Sequence, residues 1–204
     1  THGASTGSGS LTVAKAGQTI TVTSHAPASA AFASVFTVAA TGGGSGNAVT
    51  FSSAGACSNV GAMFTMTGVG ACTVKYDQAG NVNYNAAPQV TESVNVLNAS
   101  QAITVTIHAP ANAAYGAMFT VAATGGGSGN PVTFSSAGSC TNSGAAFTIT
   151  SGSGTCSVKY AQAGGGNYDA APQVTESVNA QKADQTISVT AHAPAGAVYD
   201  TTFV

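Results

Sequence analysis

Apolar and polar residues alternate with a period of two along most of the chain, and no stretch carries the 3.6-residue spacing of an amphipathic helix. Ile20 and Val22 sit between threonines, and this first run stops at His25-Ala26-Pro27. The same alternation predicts strands over residues 35–41, 49–53, 63–67, 71–76 and 89–97. Within them Cys72, Val74 and Tyr76 share one face, as do Val90, Val94 and Val96. Six or seven short strands separated by turn residues predict an all-β fold, an antiparallel β-sandwich with a core of Val, Ile and Phe.

The pattern then repeats. Residues 36–47 return letter for letter as 119–130, and 49–55 as 132–138. Residues 18–100 align with 101–184, with one residue inserted between the paired cysteines. Residues 185–204 restart the unit, and Leu11-Thr-Val matches the last strand of a unit. The expected organisation is therefore a lead-in and the last strand of a preceding repeat over 1–17, one repeat over 18–100, a second over 101–184, and the first strands of a further, truncated repeat over 185–204. Residues 1–10 are rich in Gly, Ser and Thr and are expected to be a mobile lead-in. The passage from 94 to 106 has neither Gly nor Pro. A breaker-free junction predicts limited rotation between neighbours and a stiff rod, with each unit adding on the order of 30–40 Å.

Each repeat carries two cysteines, Cys57 with Cys72 and Cys140 with Cys156. Equivalent placement predicts one disulfide per repeat, since zinc spacing is absent and no His recurs beside either pair. Disulfides imply a compartment outside the reducing cytosol. Charge changes the picture further. Charged residues make up 5 % of the 204 residues, against roughly 25 % in an average soluble protein, and there is no Arg. Without clustered cations no nucleic-acid partner is expected. Without an apolar run near 20 residues no membrane insertion is expected. So neutral a surface has little self-repulsion and favours packing of copies on one another.

These residues carry a resemblance. Gln-x-Ile-x-Val-Thr followed by Ala-Pro, Phe-Thr-Val-Ala-Ala-Thr, the Pro131-Val-Thr-Phe-Ser-Ser run and Cys…Gly-x-Cys-x-Val-Lys-Tyr resemble bacterial Ig-like repeats, as does the segment from Gln78 through Asn-Tyr-Asn-Ala-Ala-Pro-Gln-Val. Such repeats stand in tandem in very large secreted or surface proteins. The resemblance covers nearly all of the chain from Leu11 and implies tandem Ig-like sandwiches with an extracellular structural or adhesive role. His25, His108 and His192 stand where the resemblance implies a small polar residue.

Candidate chemistry is sparse. The Gly42-Gly-Gly-Ser-Gly46 run lacks the Lys and the following helix of a phosphate cradle and is expected to be a hairpin connection. One His per repeat, at 25, 108 and 192, reads as an exposed strand-end residue rather than a metal ligand. Lys75 with Glu92, and Lys159 with Glu176, read as weak exposed ion pairs. An isopeptide bond would need the lysine inside, whereas alternation turns Lys75 outward. Asn98-Ala-Ser100 forms a glycosylation sequon whose counterpart lacks it. The loops holding Asn81, Asn83 and Tyr84, and Asn167 and Tyr168, offer an aromatic face beside amides, which suits a sugar ring. The alternative is that both tyrosines plug the open end of the sandwich. No catalytic motif is present, and neither cofactor nor metal is expected. The expectation is a non-enzymatic structural repeat of an extracellular fibre or adhesin stalk that partners itself in a filament. Glycan binding through the Asn/Tyr loops, or a surface receptor, is the other.

Overall fold

A computed structural model describes residues 9–202 of the chain. The lead-in expected over 1–10 therefore lies mostly outside the described residues. Among them every regular element is a strand.

In the first repeat the alternation forms nine strands: β1 Thr21–Ser24, β2 Ser29–Ala31, β3 Val35–Thr37, β4 Ala39–Thr41, β5 Val49–Gly55, β6 Cys57–Val60, β7 Met63–Met66, β8 Gly70–Gln78 and β9 Val90–Leu97. One layer takes the order β3-β7-β6, extended by the pair β1-β4, and the other takes β2-β9-β8-β5. Counting β3 and β4 as one interrupted strand, and β1 and β2 as one strand that passes from layer to layer, this sets the first, second, fifth and fourth strands against the third, sixth and seventh. That is the strand order of an immunoglobulin-type sandwich. The second repeat forms the same set: β10 Thr104–Ile107, β11 Asn112–Ala114, β12 Met118–Thr120, β13 Ala122–Thr124, β14 Val132–Gly138, β15 Cys140–Ser143, β16 Ala146–Ile149, β17 Thr155–Gln162 and β18 Val174–Gln181. Its sheets repeat the pairing, as β10-β13, β12-β16-β15 and β11-β18-β17-β14.

Several expectations change here. The run 35–41 is two strands, because Val38 turns its N–H to Ala62 O at 3.0 Å. β3 accordingly pairs with β7, and β4 with β1. The sandwich is not wholly antiparallel, since β2 runs parallel to β9 and β11 to β18. The strands β2 and β6 were not legible as alternation, being only three and four residues long. The glycine run between β4 and β5 is no hairpin connection: the two strands belong to different sheets, and the run crosses from layer to layer. From Lys182 to Thr202 no strand forms among the described residues, although Gln185-Thr-Ile-Ser-Val-Thr matches β1 in sequence. A strand needs a neighbour, and the counterpart of β4 that paired with β1 is missing from that stretch.

The first core consists of Ile20, Val38, Phe64, Met66, Val74, Tyr76, Val94 and Val96 with the two cysteines, all buried. Phe36 stacks on Phe64, and Phe51 meets Tyr76 edge-on with centroids 5.6 Å apart. Disulfides Cys57–Cys72 and Cys140–Cys156 join the two layers of each sandwich, with Cα atoms 5.4 Å and 5.2 Å apart. No free cysteine remains. By proximity of its residues the chain divides into two compact units. The first holds the residues up to Ile103 with Gly125–Val132 and Gln162–Pro172; the second holds Thr104–Thr124, Thr133–Ala161 and those from Gln173.

Candidate functional site

Two arrangements recur in both repeats. The first begins with glutamines. Gln78 continues the inward alternation Cys72–Val74–Tyr76, and Gln18 precedes Ile20 by two residues, so both amides are carried into the end of the sandwich, where they are buried. A buried amide must be hydrogen-bonded. The Oε1 atom of Gln78 accepts the Gly43 N–H at 2.8 Å, and its Nε2 donates to Asn47 O at 2.8 Å. Gln18 Oε1 accepts the Ser45 N–H at 2.9 Å and Nε2 donates to Ala79 O at 3.1 Å. The glycine run is thus wrapped around two side-chain amides. Gln101 and Gln162 do the same for the second run, accepting from Ser128 and Gly126 and donating to Ala163, Asp169 and Asn130.

On this braced run lies the Asn/Tyr loop. A Cβ added to Gly44 would stand 2.4 Å from Tyr84 Cζ, and one on Gly127 the same distance from Tyr168 Cζ. Only glycine leaves room for the ring. Both tyrosines are half-buried there. Asn81 closes its own turn: Oδ1 accepts from the N–H groups of Asn83 and Tyr84 at 2.8 and 2.9 Å, and Nδ2 donates to Ser45 O. Where the second repeat has Gly165, the backbone closes the turn through two Gly165–Tyr168 bonds.

The loop backbone in turn holds the segment that enters its repeat. Ala16 N–H donates to Asn83 O at 2.8 Å, and Asn85 N–H donates to Ala16 O at 2.9 Å. In the same way Ala99 N–H donates to Asn167 O at 2.8 Å, and Asp169 N–H to Ala99 O at 3.0 Å. Each is a short parallel bridge, Ala16 to Tyr84 and Ala99 to Tyr168. In the Tyr168 loop the side chains are engaged as well. Asn167 Oδ1 accepts the Val69 N–H at 3.1 Å, Tyr168 meets Phe32 edge-on at 5.5 Å, and Asn98 Nδ2 donates to Asp169 Oδ1 at 2.9 Å. All these residues belong to the first compact unit. The sequon residue Asn98 is thereby used in the fold.

The second arrangement corrects the expected ion pairs. Glu92 faces inward and its side chain is 19 % exposed. It binds three donors and not Lys75: His25 Nδ1 at 2.5 Å, the Ala26 N–H at 2.9 Å and the Tyr76 hydroxyl at 2.5 Å. Lys75 stands on the outer face, opposite Ser52 and Thr91. Glu176 binds His108, Ala109 N–H and Tyr160 alike, and Lys159 again takes no part. His25 and His108 are exposed at a strand end, as expected, but each also holds a carboxylate; His192 makes no such contact. Burial raises the carboxyl pKa of Glu92 and Glu176, but the backbone N–H, the tyrosine hydroxyl and the histidine outweigh it, so each is held below its ordinary value. Burial, then the bond to the carboxylate and its charge, push the Tyr76 and Tyr160 hydroxyls well above theirs. The clasp sits where the chain changes sheets between β1 and β2, and β10 and β11.

Alternation could have revealed the glutamines and Glu92, since all of them fall on the inward parity of their strands. The donors to Glu92 could not be read, because His25 and Ala26 meet it across more than sixty residues of chain.

No family model matches the chain, and no curated protein matches it. Among solved structures, the fibronectin(III)-like modules of Clostridium thermocellum CbhA share 15 % identity over 85 % of this chain and 100 % of theirs, with a TM-score of 0.33. Domains EC1-4 of Drosophila N-cadherin share 10 % over 80 % of this chain and 51 % of theirs, at 0.29. The three N-terminal domains of the bacteriophage RB49 outer capsid protein Hoc share 12 % over 82 % and 71 %, at 0.28. At such scores the likeness carries no functional argument; the Ig-like assignment stands on strand order.

Proposed function

We propose that this chain is a non-enzymatic structural segment of an extracellular fibre or surface-adhesin stalk, built from tandem Ig-like repeats that assemble into a filament. The observation that carries the reading is the grip on Ala99. The segment leaving the last strand of one repeat is held by two backbone hydrogen bonds from the Asn/Tyr loop of the next, and Ala16 is held alike. A connection bonded in this way resists pulling and bending better than a free linker, which is what a load-bearing array requires. Two disulfides support a place outside the reducing cytosol. A surface with 5 % charge supports packing of copies. Of the loop residues first considered for a sugar, Asn81, Asn167 and Tyr168 spend their side chains in the fold, which favours the structural reading over glycan recognition.

Electron microscopy of the purified 204-residue chain over a concentration series tests this. Ordered fibres are expected. Dispersed particles at every concentration would count against filament assembly, and saturable sugar binding lost in Tyr84→Ala would favour the glycan reading instead.

A further inference from the structure

We propose that the outer face of the β3-β7-β6 layer in the first repeat is a lateral docking surface for the same face of a second copy of this chain. This deepens the filament reading and rests on it. The layer is made without charge. No residue of β1, β3, β4, β6 or β7 is charged, and the same holds for β10, β12, β13, β15 and β16. The strand lysines, Lys75 and Lys159, belong to the other layer, and Glu92 and Glu176 point inward. The nearest ionisable groups stand past the strand ends: His25 and His108 follow β1 and β10 at the crossing between sheets, and Lys182 passes Gly152 beyond β16.

On this neutral face the two repeats differ. In the first, Val60 stands directly opposite Met63, Met63 opposite Thr37, and Val35 one step along, opposite Thr65. Val60, Val35 and Met63 are 78 %, 54 % and 46 % exposed. In the second, Ser143 and Ala146 hold the places of Val60 and Met63 in the same pairing. The strands form equally well with a hydroxyl and a methyl there, so the fold does not require the larger apolar pair. Ser143 is exposed as Val60 is, and Met118 as Val35 is, so both repeats leave this face open. An exposed apolar cluster that folding does not need, rimmed by Thr37, Thr65 and Ser58, marks a contact surface.

The occupant follows from charge. An average protein carries roughly 25 % charged residues, and each one set on this face would lose its water and find no counter-charge. A second copy brings the matching surface, the same charge-free layer. Val and Met then meet Val and Met, while the rim hydroxyls can both donate and accept. Side chains of two such faces interdigitate as those of facing sheets do inside a sandwich. Because the patch meets its own like, the contact is isologous and closes as a pair. It sets copies side by side, widening a filament without by itself lengthening one.

The test is sedimentation velocity of the full chain over a concentration series, with thermal melting to confirm folding. The double variant Val60→Ser, Met63→Ala installs the second repeat's own residues, which that backbone already accommodates. It should need at least about a tenfold higher concentration to associate, the scale of two apolar side chains no longer buried. Met63→Lys should weaken association at least as much, and Ser93→Lys, the same charge added to the other layer, should leave it unchanged. Association unaltered in the double variant, or weakened equally by Ser93→Lys, overturns this contact while leaving the filament reading in place. A wild type that stays monomeric at all concentrations overturns the filament reading and this inference with it.

Discussion

The hydroxyl of Tyr76 donates to Oε2 of Glu92 on the adjacent strand, one step off the direct opposition of Tyr76 with Val90 and Val74 with Glu92. Diagonal reach of this kind is available only to a long side chain. It places a carboxylate under the bend at His25 and Ala26, so one residue of β9 ties down the crossing from one sheet to the other.

An acid limb in stability follows from that clasp. The folded carboxyl titrates below its ordinary value, so its contribution is present above the unfolded pKa of about 4.3 and is lost as pH falls through the folded value. The melting temperature should drop as pH is lowered from about 5. The double variant Glu92→Gln, Glu176→Gln should be less stable at neutral pH and show a flatter acid limb. A limb of unchanged slope in that variant would overturn this origin for it.

The raised tyrosine hydroxyls predict an alkaline limb of the opposite sign. Their folded pKa lies above the unfolded value of about 10, so stability is retained below that value and lost as pH climbs through the folded one. Tyr76→Phe with Tyr160→Phe should remove the limb, read as melting temperature between about pH 9 and 11.

Reduction of Cys57–Cys72 and Cys140–Cys156 removes one cross-link per sandwich. Loops of 15 and 16 residues each contribute roughly 3 kcal/mol in the chain-entropy view. Melting in the presence of a reductant should therefore shift down by at least several degrees. An unshifted transition would mean that the bonds are not formed in solution.

Ala33 has φ of 63°, where its counterpart in the second repeat is Gly116 at 79°. An L-residue in this left-handed region is strained, and glycine is not. Ala33→Gly should raise stability by up to about 1 kcal/mol, and Gly116→Ala should lower it by a similar amount. Denaturant midpoints check both signs.

Gly44→Ala and Gly127→Ala should each destabilise by about 1–3 kcal/mol, because the added methyl enters the tyrosine ring. Gly9→Ala, with open space around it, is the matched control and should be near neutral.

The sequence by itself determined the strand-rich class, the repetition and the cystine pairs. Alternation fixes which face of a strand is buried, and equal placement of Cys57, Cys72, Cys140 and Cys156 fixes which thiols can meet. The inward parity of Gln18, Gln78 and Glu92 is open to the same alternation, although what they bind could not be read from it. Only the tertiary structure decided that the glycine run crosses between layers, that Val38 splits a strand, and that Glu92 takes His25 and Tyr76 rather than Lys75. Each of those depends on partners far apart in the chain, and a pattern of period two records the direction a side chain faces without recording what stands opposite. The Asn/Tyr loops show the same division: their composition offered a sugar platform or an end plug, and it did not show that their backbone holds Ala16 and Ala99.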